Sequence, residues 1–308
     1  MPRFPKVLAS SVVRGAEQGD SHGGLFRVDL DTGASEQLLD WNDGGINFEG
    51  RGADRGLRGI SVVGEQIFVA ASDELFVFDR RFRITDSFRN PYLKHCHEIA
   101  QYRGALYLTS TGFDSVLRFD LRNNAFDLGI QLWRQGGGIE MRMFDPRASG
   151  AAAPSVAFHL NNVHASEFGV FTSGLKLGAL LQISPRGVSV AAEIPQGTHN
   201  ARPFRGGVLL NDTENDSLVW WTPDRHVAIR VPDYCESDLE FAGVDRTGVA
   251  RQGFARGLCQ LSDLVFAGGS SPTTVSVYDL AAGERVKSIN LTMDIRNAAH
   301  GMAVWPFD

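Results

Sequence analysis

Short segments of alternating apolar and polar residues recur along the chain, separated by glycine and small polar residues. Each clear copy has an alternating strand, a short turn, a second strand ending in small polar residues, and a third strand ending in an aromatic residue and aspartate. The clearest copies are residues 60–79, 99–120 and 258–279. Alternation with a period of two is typical of β-strands, so the repeat predicts an all-β repeat protein.

Two looser copies and one divided copy complete the repeat. The looser copies are residues 163–183 and 201–221. Residues 302–305 supply a first strand with nothing after it, and residues 7–33 supply a second and third strand with nothing before them. Joining the two ends gives a sixth unit and buries their strand edges. We therefore predict one domain over residues 1–308, an all-β six-bladed β-propeller whose last blade is closed by the N- and C-terminal strands.

Two long segments interrupt the repeat. Residues 133–155 are rich in glycine and alanine and too long for a simple hairpin, and residues 233–253 begin with acidic residues. Loops between propeller strands lie on the faces of the disc, where binding sites are common. We expect both segments to be loops over one face.

The residues two positions before the first apolar residue of each innermost strand show a second pattern. In chain order they are Arg58, His97, Asn161, His199, Arg256 and His300. Histidine stands in every second unit, so the three imidazoles should converge on the propeller axis. Three imidazoles on one face make a metal site with open positions, and both Zn and Fe(II) accept such ligands. In the fourth unit the register leaves His164 or His159 as substitutes for Asn161, which keeps a four-histidine centre open.

Three further residues suit catalysis or substrate binding at such a centre. Arg58 and Arg256 are costly beside a divalent cation unless an anion shares the site, which predicts a carboxylate or developing oxyanion between them. The alternative is that each arginine pairs with a carboxylate of the neighbouring blade. Asn161 adds a polar group for the substrate. Glu98, next to His97, could orient a ligand or act as a base.

Composition and charge narrow the classes of partner. The 30 Lys and Arg residues are scattered among 36 Asp and Glu residues, for a net charge of -6. We therefore expect no nucleic-acid partner. No apolar run approaches the roughly 20 residues of a membrane span, and Met1 to Ser10 lack a signal-peptide core, so we expect a cytoplasmic protein without a membrane partner. Three widely spaced cysteines predict reduced thiols, and His22 and His226 lie in turn-like contexts that predict surface positions.

The blade opening H-x-[IM], followed by a glycine turn and a strand of the form [LV]-Y-[VL]-[ST], resembles the NHL-type propeller repeat. Histidines on separate blades of a six-bladed propeller resemble those of peptidylamidoglycolate lyase. The resemblance implies a zinc ion in the central channel held by His97, His199 and His300. It also implies an assisting arginine, with Arg58 and Arg256 as the counterparts here.

These observations predict a metalloenzyme with a small, anionic substrate. Neutral imidazoles leave the full charge on the metal, which favours lyase or hydrolase chemistry on a carboxylated or hydroxylated molecule. A non-haem Fe(II) oxygenase at the same site is one alternative, and a non-catalytic interaction propeller is another. The sequence gives no oligomeric state.

Overall fold

The chain folds as a six-bladed β-propeller, which confirms the predicted fold class. The computed structural model describes residues 4–42, 56–243 and 250–307, and within these ranges six antiparallel sheets form the blades. Blade 1 contains β1 (Lys6–Val13), β2 (Gly24–Asp29) and β3 (Ser35–Asp40). Blade 2 contains β4 (Ile60–Val63), β5 (Gln66–Ala71), β6 (Glu74–Phe78) and β7 (Ile84–Arg89). Blade 3 contains β8 (Ile99–Tyr102), β9 (Ala105–Ser110), β10 (Ser115–Asp120), β11 (Ala125–Gln135) and β12 (Gly138–Phe144).

The second half of the chain continues the same pattern. Blade 4 contains β13 (Leu160–Ser166), β14 (Gly169–Gly174), β15 (Ala179–Ser184) and β16 (Gly187–Glu193). Blade 5 contains β17 (Thr198–Phe204), β18 (Gly207–Asp212), β19 (Ser217–Thr222) and β20 (Arg225–Arg230). A short 3-10 helix (Glu236–Asp238) precedes blade 6, which contains β21 (Gly253–Gln260), β22 (Val265–Ser271), β23 (Thr274–Asp279) and β24 (Glu284–Asn290). Finally β25 (Asn297–Val304) joins blade 1 beside β1.

The two ends of the chain close the propeller in blade 1, as the divided repeat predicts. Strand β25 pairs antiparallel with β1, from Val7 opposite Val304 to Val13 opposite Asn297. The hydroxyl of Ser10 accepts a hydrogen bond from Gly301 N at 2.8 Å and donates to Arg58 O at 2.5 Å, which ties blade 1 to blade 2. The assignment of the whole chain to one domain stays a prediction.

The hydrophobic core lies between neighbouring blades. Between blades 1 and 2, for example, Leu8 and Leu25 pack with Ile67, Phe76 and other buried side chains. The outermost strands contribute little to it, and β7 is exposed over most of its length. The six innermost strands β4, β8, β13, β17, β21 and β25 contact one another around the axis. The six axial residues predicted above, called the ring residues from here on, lie within the last four of these strands or, for Arg58 and His97, two positions before β4 and β8.

The prediction of a loop over residues 133–155 is wrong in its first part. The residues up to Phe144 form a hairpin between β11 and β12 and make blade 3 five-stranded. Its turn contains Gly136 and Gly137 with φ values of 57° and 84°, a conformation that glycine adopts without strain. Ser155, at the other end of the segment, donates its N–H to Gly112 O at 3.0 Å. Part of the second segment, residues 244–249, lies outside the described residues.

Two further observations bear on the sequence-based expectations. Across the described ranges, no helix has the length and apolar character that crossing a membrane requires. Cys96, Cys235 and Cys259 are all free thiols, which confirms that no disulfide joins them.

Candidate functional site

Irregular pairing in the innermost strands shapes the site. Strand β13 shifts register between Leu160 and Asn162, and β17 shifts between His199 and Arg202. Strand β21 shifts on both sides of Arg256. A bulge of this kind bends a strand and redirects its side chains. This explains how the innermost strands turn large polar side chains toward the axis.

The structure brings the three predicted histidines together. His97, His199 and His300 are buried, and the ring centroid of His97 lies 5.4 Å from that of His300 and 6.5 Å from that of His199. The ring of His159 lies 5.5 Å from His97 on another side. In a tetrahedral site with metal–nitrogen bonds of about 2.1 Å, ring centroids lie about 5 Å apart, so the His97–His300 separation is close to that spacing and the His97–His199 separation is wider.

The fourth histidine beside this group is His159 and not His164. His164 lies three residues beyond Asn161 along β13, a rise of about 10 Å, and its ring packs 6.3 Å from Phe171. Asn161 keeps its place among the six ring residues, where its Nδ2 donates to Thr198 O at 3.0 Å. The sequence analysis left both histidines open as alternatives; the backbone of His159 has a φ of 55°, and its ring lies beside that of His97.

The site keeps its histidines neutral. Burial, and then the charge of Arg58, holds the pKa of His97 and His300 well below the ordinary value of 6.5. Burial and the charge of Arg256 lower the pKa of His199 in the same way. A neutral imidazole carries a lone pair, which a metal ligand or a hydrogen-bond acceptor requires.

The two ring arginines contact histidines. Arg58 Nη1 donates to His97 Nε2 at 2.7 Å, and Arg256 Nη1 lies 3.4 Å from His300 Nε2. A guanidinium has no acceptor, so the histidine nitrogens accept these bonds. Sequence reasoning considered an anion or a carboxylate as the partner of each arginine and missed the neighbouring imidazole.

His199 is oriented differently from the other two ring histidines. Its Nδ1 lies 2.9 Å from Thr213 Oγ1 and 3.2 Å from Gly197 O. Because Thr213 Oγ1 donates to Ala255 O at 2.9 Å, it accepts from His199, which places the proton on Nδ1 and the lone pair on Nε2. Nothing near Thr213 in the sequence indicates this role.

The ring contains buried polar atoms of a histidine and of the asparagine that have no hydrogen-bond partner. His97 Nδ1 and Asn161 Oδ1 are buried, and neither finds a partner within the described residues. Leaving such an atom unsatisfied costs about 1–3 kcal/mol, so an additional group bound at the ring would stabilise it. These atoms are the most direct indication that the ring accommodates a ligand.

A ready-made metal site is not formed by the side chains as they stand. Among the described residues, no group of three or more His, Cys, Asp or Glu side chains is arranged to hold a metal ion. The lone pair of His97 Nε2 is already used by Arg58. The neutral imidazoles suit a transition metal, but binding it requires Arg58 to turn away from His97.

A cavity of about 200 Å³ borders the innermost strands next to the ring residues. It borders the apolar residue two positions after each ring residue, and these six are Ile60, Ile99, Val163, Ala201, Leu258 and Met302. Glu98, Asn200, Arg202 and His164 line it as well. Desolvation raises the pKa of Glu98 to about 7, while the Ile99 N–H, Arg202 and Asn200 act in the opposite direction. Glu98 and Arg202 both line this cavity, and no spacing in the sequence indicates that they are neighbours.

The remaining histidines lie away from the ring. His95 and His226 are exposed, which confirms the surface position of His226. The surface prediction for His22 is wrong, because its side chain is completely buried. Its backbone explains this, since His22 N donates to Trp41 O and His22 O accepts from Val13 N within blade 1.

Comparison with known proteins supports the fold. No protein-family model matches the chain, and no curated protein matches its sequence. A chain from a nidogen–laminin complex is similar in structure, with a TM-score of 0.58, 10% identity, and 96% of this chain and 97% of that chain covered. A catalytically inactive virginiamycin B lyase from Staphylococcus aureus with quinupristin has a TM-score of 0.48 and 9% identity, over 80% of this chain and 73% of that one. Apo AztD from Citrobacter koseri has a TM-score of 0.47 and 11% identity, over 94% and 82%. At such identities the likeness concerns the fold alone.

Proposed function

We propose that the protein is a metal-dependent enzyme whose centre is the ring at the propeller axis, with His97, His199 and His300 as ligands. The observation that carries the proposal is the convergence of three buried neutral imidazoles beside two polar atoms that lack partners, His97 Nδ1 and Asn161 Oδ1. A bound ion with its water would satisfy both kinds of group. His159, whose ring lies 5.5 Å from that of His97, is proposed as a fourth ligand.

The reaction that we favour is a lyase or hydrolase step on a small carboxylated or hydroxylated molecule. A divalent metal in this position would lower the pKa of bound water and polarise a carbonyl or hydroxyl group. Arg58 and Arg256, when they turn from the histidines, offer planar donors to the carboxylate of the substrate. Glu98 lines the neighbouring cavity together with these apolar residues and is proposed as an acid–base group or as support for the site. The cytoplasmic location stays part of this proposal.

Elemental analysis of untagged protein tests the metal. We expect about one transition metal per chain, lost in His199→Ala and in His300→Ala, while the exposed His226→Ala retains it. If the bound metal is zinc, the lyase or hydrolase reaction is supported. If it is Fe(II) whose spectrum changes on addition of nitric oxide, the oxygenase alternative is supported instead. Full metal retention in His199→Ala would remove this ligand set.

A second candidate function is a metal-free binding protein for small anions. The hydrogen bond of 2.7 Å between Arg58 and His97 favours it, because it uses the lone pair that a metal needs. The variant Arg58→Gln separates the two functions. A metal site should bind its ion about tenfold more tightly after this change, because a like charge and a competing donor are removed. If neither the unmodified protein nor the Arg58→Gln variant binds a metal, the anion-binding function is supported instead.

A further inference from the structure

Two opposite charges line one small cavity without forming an ion pair. Glu98 of blade 3 and Arg202 of blade 5 both border the cavity of about 200 Å³ next to the ring residues. Among the described residues, the ion pairs include neither of them. Their charges still act on each other, because burial lowers the pKa of Arg202 and Glu98 opposes that effect. The two groups are therefore close but separated by a gap.

Hydrogen bonds hold Glu98 on its side of this gap. Asn200 Nδ2 donates to one oxygen of its carboxylate, and Ile99 N donates to the other at 3.2 Å. Asn200 is fixed in turn, because its Oδ1 accepts from Asn211 Nδ2 at 2.9 Å and from Gly257 N at 2.8 Å. Each carboxylate oxygen of Glu98 keeps a further lone pair, which a donor in the cavity can use.

Arg202 is held on another side of the cavity. Its Nη2 donates to Leu258 O at 2.9 Å, and its guanidinium carbon lies 5.7 Å from the ring centroid of Phe266. A guanidinium has five N–H donors, so this bond leaves four for other acceptors. A backbone carbonyl carries no net charge, so the bond to Leu258 does not supply the counter-charge that a partly buried guanidinium requires.

The cavity lies farther along the strands than the histidine ring. Glu98 and Asn200 directly follow ring residues and form its near end, whereas His164 and Arg202 stand three residues after ring residues. Three residues of a strand span about 10 Å. Gln101 in its wall is exposed, so the cavity opens toward the ends of the innermost strands and away from the ring.

The rest of the lining suits a small molecule with a short hydrocarbon chain. The six apolar residues that follow the ring residues by two positions form part of the wall. Burial lowers the pKa of His164 to about 4, so its ring is neutral and offers one donor and one acceptor. The volume is below the roughly 300–1,000 Å³ of pockets for drug-sized ligands, which restricts the occupant to a few non-hydrogen atoms.

We propose that this cavity binds a small zwitterion of the amino acid class, whose carboxylate binds Arg202 and whose ammonium group binds Glu98. Such a ligand brings a counter-charge to each side chain and spans the gap between them. A ligand with one charge leaves the other side chain without its counter-charge. Because both side chains are already held by other bonds, little ordering is needed on binding. The site is separate from the proposed metal centre and does not depend on it.

Titration of the full chain with β-alanine, followed by ligand-observed NMR, tests the site. Propionate and propylamine are the controls, because they have similar carbon chains and only one charged group each. Glycine and γ-aminobutyrate are titrated as well, since they vary the distance between the two charges. The protein is treated with a chelator and kept at pH 8, above the pKa of Glu98 of about 7, so that its carboxylate is ionised. We expect the best of the three zwitterions to bind at least about tenfold more tightly than either control.

Two variants test the residues that bind the zwitterion. Arg202→Gln and Glu98→Gln should each weaken its binding at least about tenfold, because each removes one counter-charge. Arg225→Gln is the matched control. Arg225 lies in the same blade over Trp220 at 5.3 Å and donates to Leu280 O of blade 6 at 3.0 Å, but it does not border the cavity. This control should bind within about twofold of the unmodified chain, and circular dichroism checks that each variant is folded.

Several results would overturn the site. These are the absence of binding for all three zwitterions, propionate or propylamine binding as tightly as the best zwitterion, and an equal loss in Arg202→Gln and Arg225→Gln. If a variant does not fold, the comparison of ligands on the unmodified chain still decides. Binding that survives in His199→Ala supports a site separate from the ring even where no metal is found, so the proposed metalloenzyme can fail alone. Loss of binding in folded His199→Ala would place the ligand at the ring and overturn the cavity site.

Discussion

In the proposed metal site, Thr213 should control the affinity for the metal through its hydrogen bond to His199, without contacting the metal itself. Its hydroxyl accepts from His199 Nδ1 and donates to Ala255 O, both at 2.9 Å, and Thr213 is buried. Thr213→Val keeps the shape and removes both hydrogen bonds. Gly197 O, at 3.2 Å from Nδ1, still accepts from His199, so the main unsatisfied group is the carbonyl of Ala255. We expect the free energy of unfolding to fall by about 2 kcal/mol.

The loss of metal-binding free energy should be similar in size to this loss of stability. The hydrogen bond to Nδ1 fixes the tautomer and the direction of the Nε2 lone pair. Loss of such a partner typically weakens metal binding by about 10- to 100-fold. Competition with a metal-binding dye measures the affinity, and urea unfolding followed by circular dichroism measures the stability.

Thr172→Val is the matched control for this prediction. Thr172 is equally buried, and its hydroxyl donates only to Asn162 O at 2.7 Å, away from any histidine ring nitrogen. It should lose about 1 kcal/mol of stability with unchanged metal affinity. Equal metal affinity in both variants would refute the reasoning, because Thr213 would then be a purely structural residue.

Three further predictions concern the fold and its response to pH. Trp305→Ala should cost about 3–5 kcal/mol in urea unfolding, because Trp305 is buried where the chain ends close blade 1, whereas Phe168→Ala at a position 69% exposed should change stability by less than about 0.5 kcal/mol. Gly129→Ala should cost about 1–3 kcal/mol, because its new methyl group meets the ring of Phe144, and Gly138→Ala, with only Gln135 O at 3.6 Å, should be nearly neutral. Burial lowers the pKa of His164 from 6.5 to about 4. Between these two pH values the unfolded chain binds a proton that the folded chain does not, so the free energy of unfolding should fall as the pH is lowered from 6.5 to 4. His164→Gln should flatten that decline in unfolding experiments, and His226→Gln should leave it unchanged.

The inner three strands of each blade could be predicted because burial leaves a pattern in their sequence. In blade 2, β5 and β6 are buried almost throughout, and the repeat matches these strands. The outer strand β7 is mostly exposed and carries no alternation, so only its pairing with β6 defines it. The hairpin of β11 and β12 was missed for a different reason, because its glycine-rich turn suggested a loop.

The ring could be predicted from register, but its contacts could not. Aligning the repeats identifies which residue each blade presents to the axis, and this placed His97, His199 and His300 together. Hydrogen bonds such as Arg58 to His97 depend on side-chain conformations in a crowded channel, which no spacing encodes. Arg14 lies over the ring of Phe254, about 240 positions away in the chain, and a contact between residues so far apart leaves no local signal in the sequence.

The six ring residues form three pairs that follow one direction around the axis. Arg58 of blade 2 donates to His97 of blade 3, and Arg256 of blade 6 lies against His300 of blade 1. In the third pair, Asn161 of blade 4 donates to the backbone of blade 5 at Thr198, beside His199. An asparagine is shorter than an arginine, so His199 is the one ring histidine that no ring guanidinium hydrogen-bonds. With its Nδ1 proton held by Thr213, the lone pair of His199 Nε2 needs no rearrangement before it binds. If a metal were held at the ring, His199 would be the ligand that needs no rearrangement, whereas His97 and His300 would first have to lose their arginine partners.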